Sequence, residues 1–107
     1  MIGPITDVER RGWQRRAVRV LAELLNRDLP PLRWTVATGA RPLGSVESRD
    51  STTGRQHFEA WAQALDATSW PERDRGSVVT LSAERKHFDG LVTIGLVANL
   101  DKPEEDR

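Results

Sequence analysis

Five arginines surround one tryptophan in ERRGWQRRAVR, residues 9 to 19. Arginine at this density is the side chain that grips phosphate, because its guanidinium carries a permanent charge and a fork of donors. Whether it does so here depends on the element that holds it. On a helix Arg11, Arg15 and Arg19 stand four apart in one row, while Trp13 joins Ala17 and Val20 in an opposite, apolar stripe. The tryptophan is then interleaved with the arginines in sequence but not in space, which removes the stacking platform that a base would need. Arg10 and Arg16 flank the seam, where their stems cover apolar surface and their charges stay wet. The expectation is a solvated face. Nucleic-acid contact through Arg11, Arg15 and Arg19 is the alternative, and an acidic protein partner a further one.

Other chemistry is sparse. Gly39 and Gly44 have the four-residue gap of a phosphate loop, but Ser45-Val46 follows where Lys and Ser/Thr are needed, and the stretch leads toward a strand. The two histidines are His57, expected on a helix flank, and His87, expected in a turn near Asp89. The chain has no cysteine, so thiolate metal sites and disulfides are excluded. No HExxH and no closely spaced ligand set is present. Glu104, Glu105 and Asp106 read as a solvated charge run. No catalytic residue, cofactor or metal is therefore expected. An enzyme would have to assemble its site from distant positions. Trp70, before Pro71, and Phe88, expected at a hairpin tip, are each expected to fold back over the margin of the core. Exposed, they would mark a protein interface, where aromatic side chains are enriched.

At 107 residues the chain has room for one domain, expected over residues 1–100, followed by a charged, disordered tail over 101–107. No signal peptide is visible in MIGPITDVER. The longest apolar run, LVTIGLVANL, is too short to span a bilayer. The cytoplasm is the expected location. Net charge is zero, yet residues 1–55 carry ten Arg against six acids and residues 56–107 six basic residues against ten acids. Such a dipolar chain can steer a partner or satisfy itself internally. Arginine outnumbers lysine fourteen to two, as codon usage in a GC-rich genome would produce.

The elements that position these residues follow from period and punctuation. Thr6-Asp7-Val8-Glu9 reads as a capping box, and a helix is expected from there to Arg27. Its stripe is Trp13, Ala17, Val20, Leu21, Leu24 and Leu25; Pro30-Pro31 stops it. Leu32 to Val36 alternates as a half-buried strand, with Leu32, Trp34 and Val36 on one face. A weaker strand over Leu43 to Glu47, near Pro42 and Gly44, is expected at an edge. SRDSTTGRQ reads as a loop ending in a second capping box, Thr53 to Gln56. The helix after it carries Phe58, Trp61, Ala62 and Leu65 at core spacing. ATSWPERDRG reads as a charged loop. Ser77–Arg85 and Leu91–Leu100 read as a hairpin turned at Asp89-Gly90, with Val79, Leu81 and Ala83 and then Val92, Ile94, Leu96 and Ala98 facing the core.

The order is α-β-β-α-β-β, an α+β fold with a four-stranded antiparallel or mixed sheet and two helices packed on one face. Its pattern, RRAVRVLAELLNRDLPPLRWTV…HFEAWAQALDA…VVTLSAERKHFDGLVTIGLVANL, resembles a type of small actinobacterial cytoplasmic protein over most of the chain. The resemblance lies in the Arg/Leu helix, the central tryptophan strand and the EAWAQALDA helix. It implies a bacterial cytoplasmic setting and supplies no catalytic residue. The element order is also similar to small chaperone-like domains that dimerise and bind peptide segments.

The sheet's other face is the remaining question. There Leu91, Thr93, Gly95 and Val97 are expected beside Val78, Thr80, Ser82 and Glu84. That surface is too apolar to be comfortable in water and is expected to pair with a second copy or another protein, with Val78 and Val97 included.

Overall fold

Thr6 caps the first helix as expected: its Oγ1 accepts the Glu9 amide at 3.1 Å. The helix α1 runs Asp7–Leu25 in a computed structural model that describes residues 6–36, 41–87 and 92–102. Asn26 is its C-cap, so the helix ends two residues before Arg27. Ala17, Val20 and Leu24 are buried and Trp13 and Leu21 half-buried. Leu25 departs from the expected stripe and is 62% exposed. It lies about 100° around the helix from Leu24, past the margin of the seam.

The strands β1 (Arg33–Val36) and β2 (Pro42–Ser45) pair antiparallel. The second of these is not at an edge, as Pro42 had suggested. It lies between β1 and the last strand, β6 (Val92–Asp101), to which it runs parallel. Only Leu43 to Ser45 pair with β6, so the residue that lacks an amide falls outside that ladder. Gly44 faces the core, where a Cβ would come within 2.8 Å of Leu32 Cδ1 and 2.9 Å of Trp34 Cη2. The tryptophan occupies the space a side chain would need.

The second helix, α2 (Ser51–Leu65), begins earlier than expected. Asp50, not Thr53, is the N-cap, and its Oδ2 accepts the Thr53 amide at 2.7 Å. Thr53 to Gln56 therefore lies inside the helix rather than at its mouth. Asp66, in the left-handed region at φ 52°, closes it, and the Ala67 amide reaches back to the Ala62 carbonyl at 2.9 Å.

The segment expected to be a charged loop forms an edge strand in two pieces, β3 (Thr68–Ser69) and β4 (Arg73–Asp74). Both pair antiparallel with β5 (Val78–His87). Ser69 pairs with Ala83 and Arg73 with Thr80. Trp70, Pro71 and Glu72 thus oppose Leu81 and Ser82, a bulge of one residue. Pro71 has no amide to donate, and a bulged edge is where a strand tolerates it. Among the described residues the sheet therefore has six strands rather than four, is mixed, and runs β1-β2-β6-β5-β3 with β4 also on β5.

The long hairpin of β5 and β6 pairs from Val78↔Asp101 to His87↔Val92. The turn expected at Asp89-Gly90, with Phe88 and Leu91, lies outside the described residues. So do the side chain of His87, residues 37–40 with Gly39, and residues 103–107. Strand β6 continues one residue past the expected boundary: the Asp101 amide donates to the Arg49 carbonyl at 2.8 Å. Lys102 is also tied down, through its amide to Ser77 O and its ammonium to Asp74, 2.6 Å away.

One face of this sheet meets both helices. Val20 and Leu24 of α1 and Phe58, Trp61 and Leu65 of α2 form a single buried cluster with Leu81, Ala83, Val92, Ile94, Leu96, Ala98 and Leu100. Trp34 and Trp61 meet edge to face, with centroids 5.4 Å apart and planes at 74°. The Trp61 indole donates to the Pro30 carbonyl at 2.6 Å, which fixes the chain after α1 against α2. The architecture is α+β. Among the described residues no helix is long and apolar enough to cross a membrane.

Candidate protein interface

Alternation along β6 divides its side chains cleanly. Val92, Ile94, Leu96, Ala98 and Leu100 are buried under the helices, and Thr93, Gly95, Val97 and Asn99 face the other way. Register extends this second face across the sheet in rows. One row runs Glu84, Gly95, Leu43, Thr35 across β5, β6, β2 and β1. The next runs Trp70, Ser82, Val97, Ser45, Arg33; Trp70 enters it through its amide, which donates to the Ser82 carbonyl at 2.9 Å. A third holds Arg73, Thr80 and Asn99. No helix in the described residues covers this face.

Its centre is apolar, around Leu43 and Val97, with Glu84 across from Gly95. A Cβ at Gly95 would lie 3.1 Å from Leu43 Cδ1, so the leucine rests across the position where β6 has no side chain. Leu43 remains 39% exposed. Beside it are Val97, Ser45 and Ser82. Thr80 is almost buried and its hydroxyl donates to Asn99 Oδ1 at 2.8 Å, so these polar groups satisfy each other across the strands.

The expected pair Val78 and Val97 share the face without meeting. Val97 is opposite Ser82, whereas Val78 is opposite Asp101, four residue pairs farther along each strand. The patch around Val97 is completed instead by Leu43, which period-2 reasoning on the last hairpin alone could not supply. Trp70 does not fold back over the core margin; it stands 51% exposed at the edge of this face.

The remaining candidates are scattered. Arg11, Arg15 and Arg19 are all exposed and line one shallow depression with Gln14 and Val18. None is within ion-pair distance of a carboxylate among the described residues. Trp13 is half-buried on the other side of the helix. His57 is half-buried on α2. Among the described residues no three His, Asp or Glu side chains are grouped to hold a metal ion.

Sequence reasoning missed the edge strand and what it carries. The acids of this segment point toward the helix side. Glu72 accepts both Arg55 guanidinium nitrogens, at 3.0 and 3.2 Å, and this holds its carboxyl below the usual range. Asp74 is held low by the Lys102 ammonium and by the Gly76 amide. Trp70 and Arg73 lie on the open face. A signal was present in Asp74-Arg75-Gly76: the Asp74 side chain caps the Gly76 amide at 3.0 Å, and Gly76 has φ 87°. That is the chemistry of a turn returning a strand into β5. Comparisons with family models, curated proteins and solved structures found no match to this chain.

Proposed function

We propose that the protein is a non-catalytic interaction domain of the bacterial cytoplasm that pairs with a second copy of itself through the open sheet face. The observation that supports this is the apolar patch of Leu43, Gly95 and Val97 at the centre of that face, bordered by Glu84 across from Gly95. Under a two-fold axis an apolar patch meets its own image and is complementary to it. The arginine face of α1 would instead meet like charge and repel. Burying Leu43 and Val97 removes apolar surface from water, and Thr80 and Asn99 enter the contact already paired with each other.

Sedimentation tests this reading. The wild type is expected to shift from monomer toward dimer with rising concentration, and Val97→Lys to remain monomeric with an unchanged circular dichroism spectrum. A wild type still monomeric at about 1 mM, which bounds association at roughly 4 kcal/mol, removes self-association.

A second reading draws on the unpaired state of Arg11, Arg15 and Arg19, which suits nucleic-acid phosphates. It calls for binding whose affinity falls steeply with salt and disappears when all three are glutamine. Binding to the triple variant as tight as to the wild type eliminates it.

A further inference from the structure

We propose that the groove beside Trp70 binds a small, flat aromatic anion, with the ring stacked on the indole and the anionic oxygens held by Arg73 and Arg75. The groove encloses about 550 Å³ and is lined by Trp70, Pro71, Glu72, Arg73, Arg75, Thr80 and Ser82. That is the volume of a small-molecule site. Its wall is an indole that a folded chain has reason to cover, yet Trp70 is 51% exposed. The bulge holds it there, with its amide fixed to the Ser82 carbonyl and its backbone restricted by the following proline.

The charges are sorted to match. Glu72 and Asp74, which would otherwise neutralise the neighbouring arginines, are engaged by Arg55 and Lys102. Arg73 and Arg75 are left without a carboxylate in ion-pair distance among the described residues. On the floor, Thr80 gives its proton to Asn99 and has none for an anion, whereas the Ser82 hydroxyl can donate. A π-face, two guanidinium forks and one donating hydroxyl recognise an aromatic ring that bears a phosphate or carboxylate. The apolar patch at Leu43 and Val97 plays no part in this site.

The test is titration of the 15N-labelled protein, with the Trp70 indole resonance assigned by its loss in Trp70→Phe. It is run on the wild type and on Leu43→Gln, a neutral change in the self-association patch two strands away from β5, so that the fate of self-association does not bear on the result. Adenosine monophosphate is expected to shift that resonance saturably. Adenosine, which has the ring without the charge, and inorganic phosphate, which has the charge without the ring, should each bind about tenfold more weakly or worse. Arg73→Gln/Arg75→Gln should fall to the level of adenosine. 2-Naphthoate separates carboxylate from phosphate as the preferred anion, and tight binding of either supports the site. The proposal is overturned if neither compound moves the resonance at about 10 mM, if phosphate alone binds as well as the nucleotide, or if the double variant binds like the wild type.

Discussion

A methyl group added to each of the two helical glycines would meet opposite surroundings. Beyond its chain neighbours and the backbone of its own helix, nothing lies within 4 Å of a Cβ added at Gly12. Gly12→Ala should therefore raise stability by about 0.5–1 kcal/mol, the helix-propensity difference between the two residues. At Gly54 the same atom would collide with Leu100 Cδ2 and sit 2.8 Å from the Ser48 carbonyl oxygen. Backbone cannot yield as a side chain does, so Gly54→Ala should cost roughly 1–3 kcal/mol despite the better propensity. Urea melts of the two variants check both signs. Trp61→Ala should cost roughly 3–5 kcal/mol, since it empties the centre of the cluster and orphans the Pro30 carbonyl. A wild-type melt for that variant would contradict the packing described. The core role of Trp61 was legible because Phe58, Trp61 and Leu65 repeat at helical spacing. The role of Gly54 was not, because its reason is Leu100, forty-six residues away.

Among the elements, α2 and the edge strand depend on carboxylates in their charged form. Asp50 is held below the usual carboxylate range by the Thr53 amide, Glu72 by Arg55, and Asp74 by Lys102. A carboxyl with a lower pKa in the folded chain binds its proton more readily when unfolded, so protonation favours unfolding. Their contribution is complete above the ordinary carboxylate range and drains away as pH falls through the lowered folded values. The melting temperature should accordingly decline between about pH 5 and pH 3. Asp50→Asn keeps a capping oxygen and should show a shallower decline. A decline as steep as that of the wild type would remove Asp50 from the account. The helix and the long hairpin were legible at this scale because each sustains its period over ten residues or more. The edge strand was not. Two residues on either side of Trp70-Pro71-Glu72 are too few for alternation to register, and the bulge inverts its phase between them.

Across the whole molecule, burial differs sharply between elements, and local stability should follow it. Strand β6 is hydrogen-bonded on both sides, to β2 and β5. Its inward side chains, Val92, Ile94, Leu96, Ala98 and Leu100, are no more than 2% exposed. Opening it uncovers the core that every other element packs on, so its amides should exchange only through global unfolding. Helix α1 buries no residue before Ala17; from Asp7 to Arg16 its side chains are exposed or half-buried. Those first turns can fray while Val20 and Leu24 stay docked. Hydrogen exchange should therefore find the amides of Arg11 to Arg16 orders of magnitude faster than those of Ile94 to Leu96, with Val20 to Leu24 between them. The measurement also bears on assembly. If Arg11 to Arg16 are as protected as β6 in concentrated solution and lose that protection on dilution, the second copy covers α1, and the sheet face around Val97 is not the contact.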